Sequence, residues 1–194
     1  MSTPAFDADA QRAGPPPPHR FRDAVPDDVP ALVALVTSAY RGDSSRRGWT
    51  TEADLLDGAR IDADVLRHDI TRAGSRVIVV DGEDGRPLAC AHVAIEDGSG
   101  YFGMFAVDPL LQGRGTGDAV LTECERIARD AWQLPRMRMT VIDVRESLIA
   151  WYLRRGYRRT GVHKPFPYGD LRFGVPRRDD LRFEVLEKSL ESHA

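Results

Sequence analysis

The alternation of apolar and polar positions changes period along the chain, and each change marks an element. Leu32, Leu35, Val36 and Ala39 recur at helical spacing and share one face. Asp27 or Asp28 stands at the cap position, and Pro30 falls in the first turn. This predicts a helix, preceded by a short strand over 20–24. The polar stretch 42–48 reads as a loop. Thr50 or Thr51 reads as the cap of a second short helix reaching Leu56, and 64–71 as a third helical stretch.

From Arg76 the period drops to that of strands. Residues 77–80, 88–95 and 101–107 are rich in β-branched and aromatic side chains, and Gly/Asp turns separate them. They predict an antiparallel meander that Pro109 ends. The helical period then returns, with Val120, Cys124, Ile127 and Ala131 on one face. Met137, Met139 and Val141 alternate with Arg136, Arg138 and Thr140, as in a half-buried strand. Asp143, followed three positions later by Glu146, has the form of a capping box. It predicts a helix that runs to Arg155 and stops at Gly156. Strands over 157–160 and 181–187 complete the order β-α-α-β-β-β-α-β-α-β-β. That order specifies an α/β (α+β) fold around a mixed sheet.

Composition narrows the class. The chain has 194 residues, 42% hydrophobic and 29% charged, which suits one globular domain. We place that domain at 20–194. Residues 1–19, ending in Pro15 to Pro18, read as a disordered Pro-rich tail. A net charge of −3 argues against a nucleic-acid partner. No apolar run approaches the ~18 residues of a membrane span. The first residues also lack the apolar core of a secretory leader. The expectation is a cytoplasmic protein without a membrane partner. Cys90 and Cys124 show no metal or redox spacing, so two free buried thiols and no metal are expected.

The chemistry gathers at one turn. Gln112-Gly113-Arg114-Gly115-Thr116-Gly117 leaves a strand and enters a helix. Glycines let the backbone adopt positive φ and approach a ligand closely. Successive N–H groups at a helix N-terminus then form a site for a pyrophosphate. A P-loop would need Gly-Lys-Ser/Thr, which is absent. A dinucleotide site would need GxGxxG after the first strand of a βαβ unit, and the spacing here is GxGxG after a meander.

This turn matches the Q/R-x-x-G-x-G/A motif and resembles that of the GNAT N-acetyltransferase superfamily. Two further segments are similar to it and lie in the same order. Met104-Phe105-Ala106-Val107-Asp108-Pro109 looks like its splayed strand. The segment from Leu148 through Trp151 and Tyr152 to Gly156-Tyr157 looks like its late helix. The resemblance spans about residues 76–161. It implies a twisted mixed sheet of about seven strands, splayed between the fourth and fifth and flanked by about four helices. It implies acetyl-coenzyme A as cosubstrate, with pyrophosphate on Gln112, Gly113, Arg114, Gly115, Thr116 and Gly117. Pantetheine would run along Phe105, Ala106 and Val107, where a backbone N–H would meet the thioester oxygen. Tyr152 would be the acid that protonates the leaving thiolate; core packing on its helix face is the other reading. The second partner is an amine acceptor, and a homodimer is left open.

The base is less visible. Many members carry a Glu on the strand before the turn, but 101–107 has no carboxylate. His92 and Glu96 on the preceding strand are candidates, and Glu52 is another. Trp49, Glu52 and Phe166 are candidates for the acceptor site. The family's asparagine seven residues before the tyrosine is replaced by Arg145. The long segment 161–180 reads as a lid, an oligomer contact or a surface loop. Arg154, Arg155, Arg158 and Arg159 read as a solvated helix end, with a coenzyme phosphate contact as the minor alternative.

Overall fold

A computed structural model describes residues 19–58 and 60–191. Residues 1–18 of the expected tail lie outside the described residues. The elements are β1 (Phe21–Asp23), α1 (Val29–Tyr40), α2 (Gly42–Ser45), β2 (Leu56–Asp57), α3 (Ala63–Thr71), β3 (Ser75–Asp81), β4 (Pro87–Glu96) and β5 (Ser99–Val107). They continue with α4 (Thr116–Arg126), β6 (Arg136–Ile142), α5 (Glu146–Leu153), β7 (Arg158–Pro165), β8 (Val175–Pro176) and β9 (Arg182–Ser189).

Seven strands form one mixed sheet in the order β1-β3-β4-β5-β6-β9-β7. Every neighbouring pair is antiparallel except β5 and β6, the fourth and fifth strands across the sheet. Those two pair only at Gly100–Met137 and Tyr101–Arg138. Beyond Tyr101 they separate, so the predicted splay is present. One face of the sheet packs α4 and α5 over Phe102, Val120, Leu121, Ile127, Ile149 and Leu186. The other packs α1 and α3 over Leu32, Val36, Leu66, Val77 and Cys90. Both cysteines are free and buried, and burial pushes the Cys90 thiol up to about 12.

Several local expectations are corrected. Residues 50–55 form turns rather than a helix, and Leu56–Asp57 becomes a strand paired with Val175–Pro176. The helical turn lies earlier, at Gly42–Ser45, where the sequence suggested a loop. Asp28 precedes α1, but its carboxylate accepts from Val25 N–H and Arg22 instead of capping the helix. Asp143 likewise pairs with Arg182, and α5 opens at Glu146 without a side-chain cap. An aspartate near a cap position is captured wherever an arginine offers a charge-assisted bond. After Arg126 the chain widens into a π-turn over Ile127–Ala131, which rotates Ala131 into solvent. β7 runs past Thr160 to Pro165, with a bulge between Arg159 and His163, so the segment that follows it is shorter than expected. Gly156 behaves as expected, with φ +88° just past α5.

Candidate active site

Two cavities flank the opening between β5 and β6. The first, about 440 Å³, lies against the turn at 112–117. The second, about 300 Å³, lies deeper, toward α3 and β4. Tyr40, Phe105, Arg145, Leu148 and Tyr152 border both, so the cavities meet at these side chains.

The turn itself offers open backbone to its cavity. Gly113 and Gly115 have φ of +82° and +83°, and nothing lies within 4 Å of where a Cβ would project. Gly115 caps α4, and no side chain bonds the amides of its first turn. Open glycines at an uncapped helix N-terminus beside this cavity fit a pyrophosphate. Gly117 serves differently. It sits inside α4, and a Cβ there would press on the Phe105 ring at 3.1 Å. Thr116 is buried, whereas Arg114 is exposed and borders neither cavity. Gln112 is a clasp. Its Nε2 donates to Val107 O at 3.2 Å, and its Oε1 accepts from Trp49 N–H at 3.0 Å. Trp49, expected beside the acceptor, therefore borders the turn-side cavity, 6.4 Å from the Trp151 ring. Arg154 and Arg155 border it too. Arg155 stacks 3.5 Å over Trp151 and pairs with Asp118 at 2.6 Å, so the basic run is not a plain solvated end.

β5 turns sharply at the junction. Cys90 faces Ala106 and His92 faces Gly103, so Ala91 alone opposes Met104 and Phe105. Met104 takes φ +46°, and this bulge re-aims the strand next to Phe105, Ala106 and Val107. The Tyr40 hydroxyl donates to Phe105 O and holds the bulge from α1. Sequence reading passed over Tyr40. Its place at the end of the apolar stripe of α1 was the only available signal.

Tyr152 is 4% exposed, packed edge-on against Phe102, Trp151 and Tyr157. Its hydroxyl bonds to no other described residue, and the side chain borders both cavities. Burial holds its pKa well above the ordinary tyrosine value, so it remains a proton donor.

The inner cavity contains His92, Phe166 and Glu52. Glu96 is exposed at the end of β4 and borders neither cavity. The tautomer of His92 follows from its partner. Ser75 Oγ donates its single proton to Asp69 O at 2.6 Å. Its 2.8 Å contact with His92 Nε2 then requires that Nε2 carry the hydrogen. Nδ1 keeps a free lone pair and bonds to no described residue. Desolvation holds the His92 pKa below its usual value, and Asp69 offsets this only in part.

Glu52 is 4% exposed and ringed by guanidinium groups. Arg41 and Arg145 bond to it at 2.6 and 2.7 Å, and Arg60 lies at 3.5 Å. Desolvation would raise its pKa, but Arg145, Arg60 and Arg41 outweigh it and keep the carboxylate ionised. The segment after β7 covers this cavity with Phe166 and Phe173, and Arg41 donates to Phe173 O at 3.3 Å. Among the described residues no His, Cys, Asp or Glu cluster is arranged to hold a metal, and no helix is long and apolar enough to cross a membrane.

A family model described as the acetyltransferase (GNAT) family matches residues 35–157. No curated protein sequence matches. Solved structures are similar in fold. The ribosomal-protein-S18-alanine N-acetyltransferase of Escherichia coli aligns with a TM-score of 0.65 at 13% identity, over 91% of this chain and 96% of that one. Nourseothricin acetyltransferase aligns at 0.63 and 18%, over 89% and 99%. A spermidine N-acetyltransferase chimera from Vibrio cholerae and hSSAT aligns at 0.61 and 12%, over 88% and 96%.

Proposed function

The chain belongs to the GNAT acetyltransferase family, and from that premise we propose that it moves an acetyl group from acetyl-coenzyme A to a primary amine of a small-molecule acceptor, directly within a ternary complex. The observation that carries this reading is the meeting of two cavities at an unpartnered, protonated Tyr152. The turn-side cavity takes the coenzyme and the inner one the acceptor.

The chain's work is positioning and the transfer of two protons. Amides at 113–117 and the N-terminus of α4 hold the pyrophosphate. The bulged strand at Phe105, Ala106 and Val107 lies along the pantetheine and supplies an N–H to the thioester oxygen. His92 Nδ1 takes the proton that the acceptor ammonium must lose before it attacks, directly or through water. The amine nitrogen bonds the acetyl carbon as the carbon–sulfur bond breaks. Tyr152 donates its hydroxyl proton to the departing sulfur, and the tyrosinate regains one, directly or through water, from the nitrogen, which sheds its second proton to become a neutral amide. Glu52 is unsuited as the base, because three arginines stabilise its ionised form.

The inner cavity, at about 300 Å³ and covered by Phe166 and Phe173, suits a small molecule better than a protein chain. The test is release of free thiol from acetyl-coenzyme A against a panel of amines, polyamines, amino acids and peptides. Amine-dependent release with a small acceptor is expected. Release with peptides alone would move the acceptor to protein. Binding of acetyl-coenzyme A without any transfer would make the chain an acyl-coenzyme A sensor.

A further inference from the structure

The charges around Glu52 do not balance. Arg41, Arg60 and Arg145 surround one carboxylate, which leaves two positive charges over. Nearby acids are committed elsewhere. Asp69 pairs with Arg72 at 3.0 Å, and Asp62 accepts from the amides of Asp64 and Val65 at the start of α3. The other cation bordering the cavity, Arg172, pairs with Asp170 at 2.6 Å. Tyr40 supplies no anion, since its hydroxyl donates to Phe105 O and burial raises its pKa despite Arg60 and Arg145.

The surplus is also visible as unmet hydrogen bonding. The side chains of Arg41 and Arg145 are 6% and 8% exposed, and the Nε of each is buried with no partner. Buried donors of this kind are rare, and each asks for an explanation. Arg145 borders the cavity, with Nη1 on Glu52 and Nη2 on Thr50 Oγ1 at 2.8 Å. Arg60 also borders it, its guanidinium 4.6 Å over the Tyr40 ring, and at 27% it is the most open of the three. Stacking on Tyr40 fixes the guanidinium plane and leaves its edge for a planar or tetrahedral oxyanion.

We propose that the acceptor amine carries an acid group, a carboxylate or phosphonate, held in the inner cavity by Arg60 and Arg145. This rests on the acetyl-transfer reading above and adds the substrate class to it. The acid group supplies the missing counter-charge at one end of the acceptor, and the amine at the other end faces Tyr152 and the bulge of β5. Polyamines and simple alkylamines would instead bring a further cation toward an uncompensated positive site.

The experiment compares matched probes on the full chain. Each common L-amino acid is assayed beside its amide and its decarboxylated amine, with aminoalkylphosphonates as a further arm. Thiol release gives kcat/KM, and the same compounds are tested for binding by the rise in melting temperature with coenzyme A present. The acids should exceed their neutral partners by about 10- to 100-fold in kcat/KM, the worth of a charge-assisted pair. Arg60→Gln should lower the ratio of acid to amide kcat/KM by about 10-fold, a ratio that any loss of folded protein leaves untouched, and Arg60→Lys should restore part of it. Comparison of carboxylate with phosphonate identifies the acid group. Amides or decarboxylated amines turned over as well as the acids would overturn the proposal and leave acetyl transfer standing. Acids that raise the melting temperature selectively but accept no acetyl group would do the reverse. Neither preference nor selective binding would remove the anion site altogether.

Discussion

On the turn side, the groups assigned to the coenzyme lie on one continuous run of chain, from Phe105 to Gly117, and side chains of α1 and α5 with Trp49 complete the cavity. The inner cavity is lined by Glu52, Arg60, His92 and Arg145, with Arg41 bound to Glu52, on five separate segments. The first binds with main-chain amides and a helix end, so it needs glycines and little else. The second is a buried electrostatic cluster, in which each group is tolerable only because of its neighbours. The two should therefore fail differently. Damage at the turn should cost coenzyme binding and leave the fold standing, whereas damage in the cluster should cost the fold.

The strongest way to break this contrast is Glu52→Gln. It leaves three guanidinium groups buried without a carboxylate, and removing one partner of such a set costs about 3–5 kcal/mol. For a chain of this size that lowers the melting temperature by on the order of 10 °C. Thermal unfolding without ligands measures it. A change within one or two degrees would show that the cluster is solvated and the contrast false.

Tyr152→Phe tests the junction between the regions. It keeps the ring that packs on Phe102, Trp151 and Tyr157 and removes only the proton. The turnover number should fall by ~10²-fold or more, as expected for loss of a general acid. Melting temperature and coenzyme affinity should hardly move, because the lost interaction belongs to the transition state. Parent-like turnover at saturating substrate would assign the leaving-group proton to water.

Gly115→Val tests the turn. A side chain at φ +83° costs about 1–2 kcal/mol of backbone strain, and its Cβ projects into the open space assigned to the phosphates. The rise in melting temperature that acetyl-coenzyme A gives the parent should vanish, while the ligand-free protein stays folded. A retained rise would place the phosphates elsewhere.

The same contrast explains what could be read from the sequence. The turn is local: Gln112 to Gly117 and the strand before it are contiguous, so type and spacing sufficed to propose an anion site there. Tyr152 could be singled out for a related reason, since the family likeness rests on a short contiguous segment that ends at Gly156-Tyr157. Most of the element order followed from periodicity, and the splay from the family likeness. The acceptor side was not legible in this way. Glu52 was noticed as a carboxylate, but its three arginines lie 11, 8 and 93 positions away, and no local pattern links them. Glu96 shares the strand period of His92, yet its place at the end of β4 leaves it in solvent. Trp49 was drawn to the other cavity by the long-range clasp from Gln112. Long-range pairing also overrode the two expected caps, where Arg22 and Arg182 took the aspartates.

The smallest predicted effect concerns His92, the histidine of the inner cavity. In an unfolded chain His92 titrates near ~6.5. In the folded protein, desolvation holds the value lower, with Arg72 acting in the same direction and Asp69 opposing. As pH falls below about 6.5, the unfolded chain takes up a proton that the folded chain does not. Stability therefore falls from about pH 6.5 down to the folded value, and His92 contributes no slope above that range. Each unit of difference between the two values is worth about 1.4 kcal/mol, so this single group tilts the acid side of the stability curve without setting it. His92→Gln keeps an N–H for Ser75 and cannot titrate, so its stability should decline less steeply than the parent's between pH 6.5 and 5, as urea unfolding at several pH values would show. The acid limb of kcat/KM should share the origin, falling with a midpoint below 6.5 in the parent. In His92→Gln the limb should be absent and the neutral-pH rate lower. A variant that reproduced the parent's stability slope and its acid limb would remove His92 from both roles, and would leave the inner cavity as a binding site whose base is water.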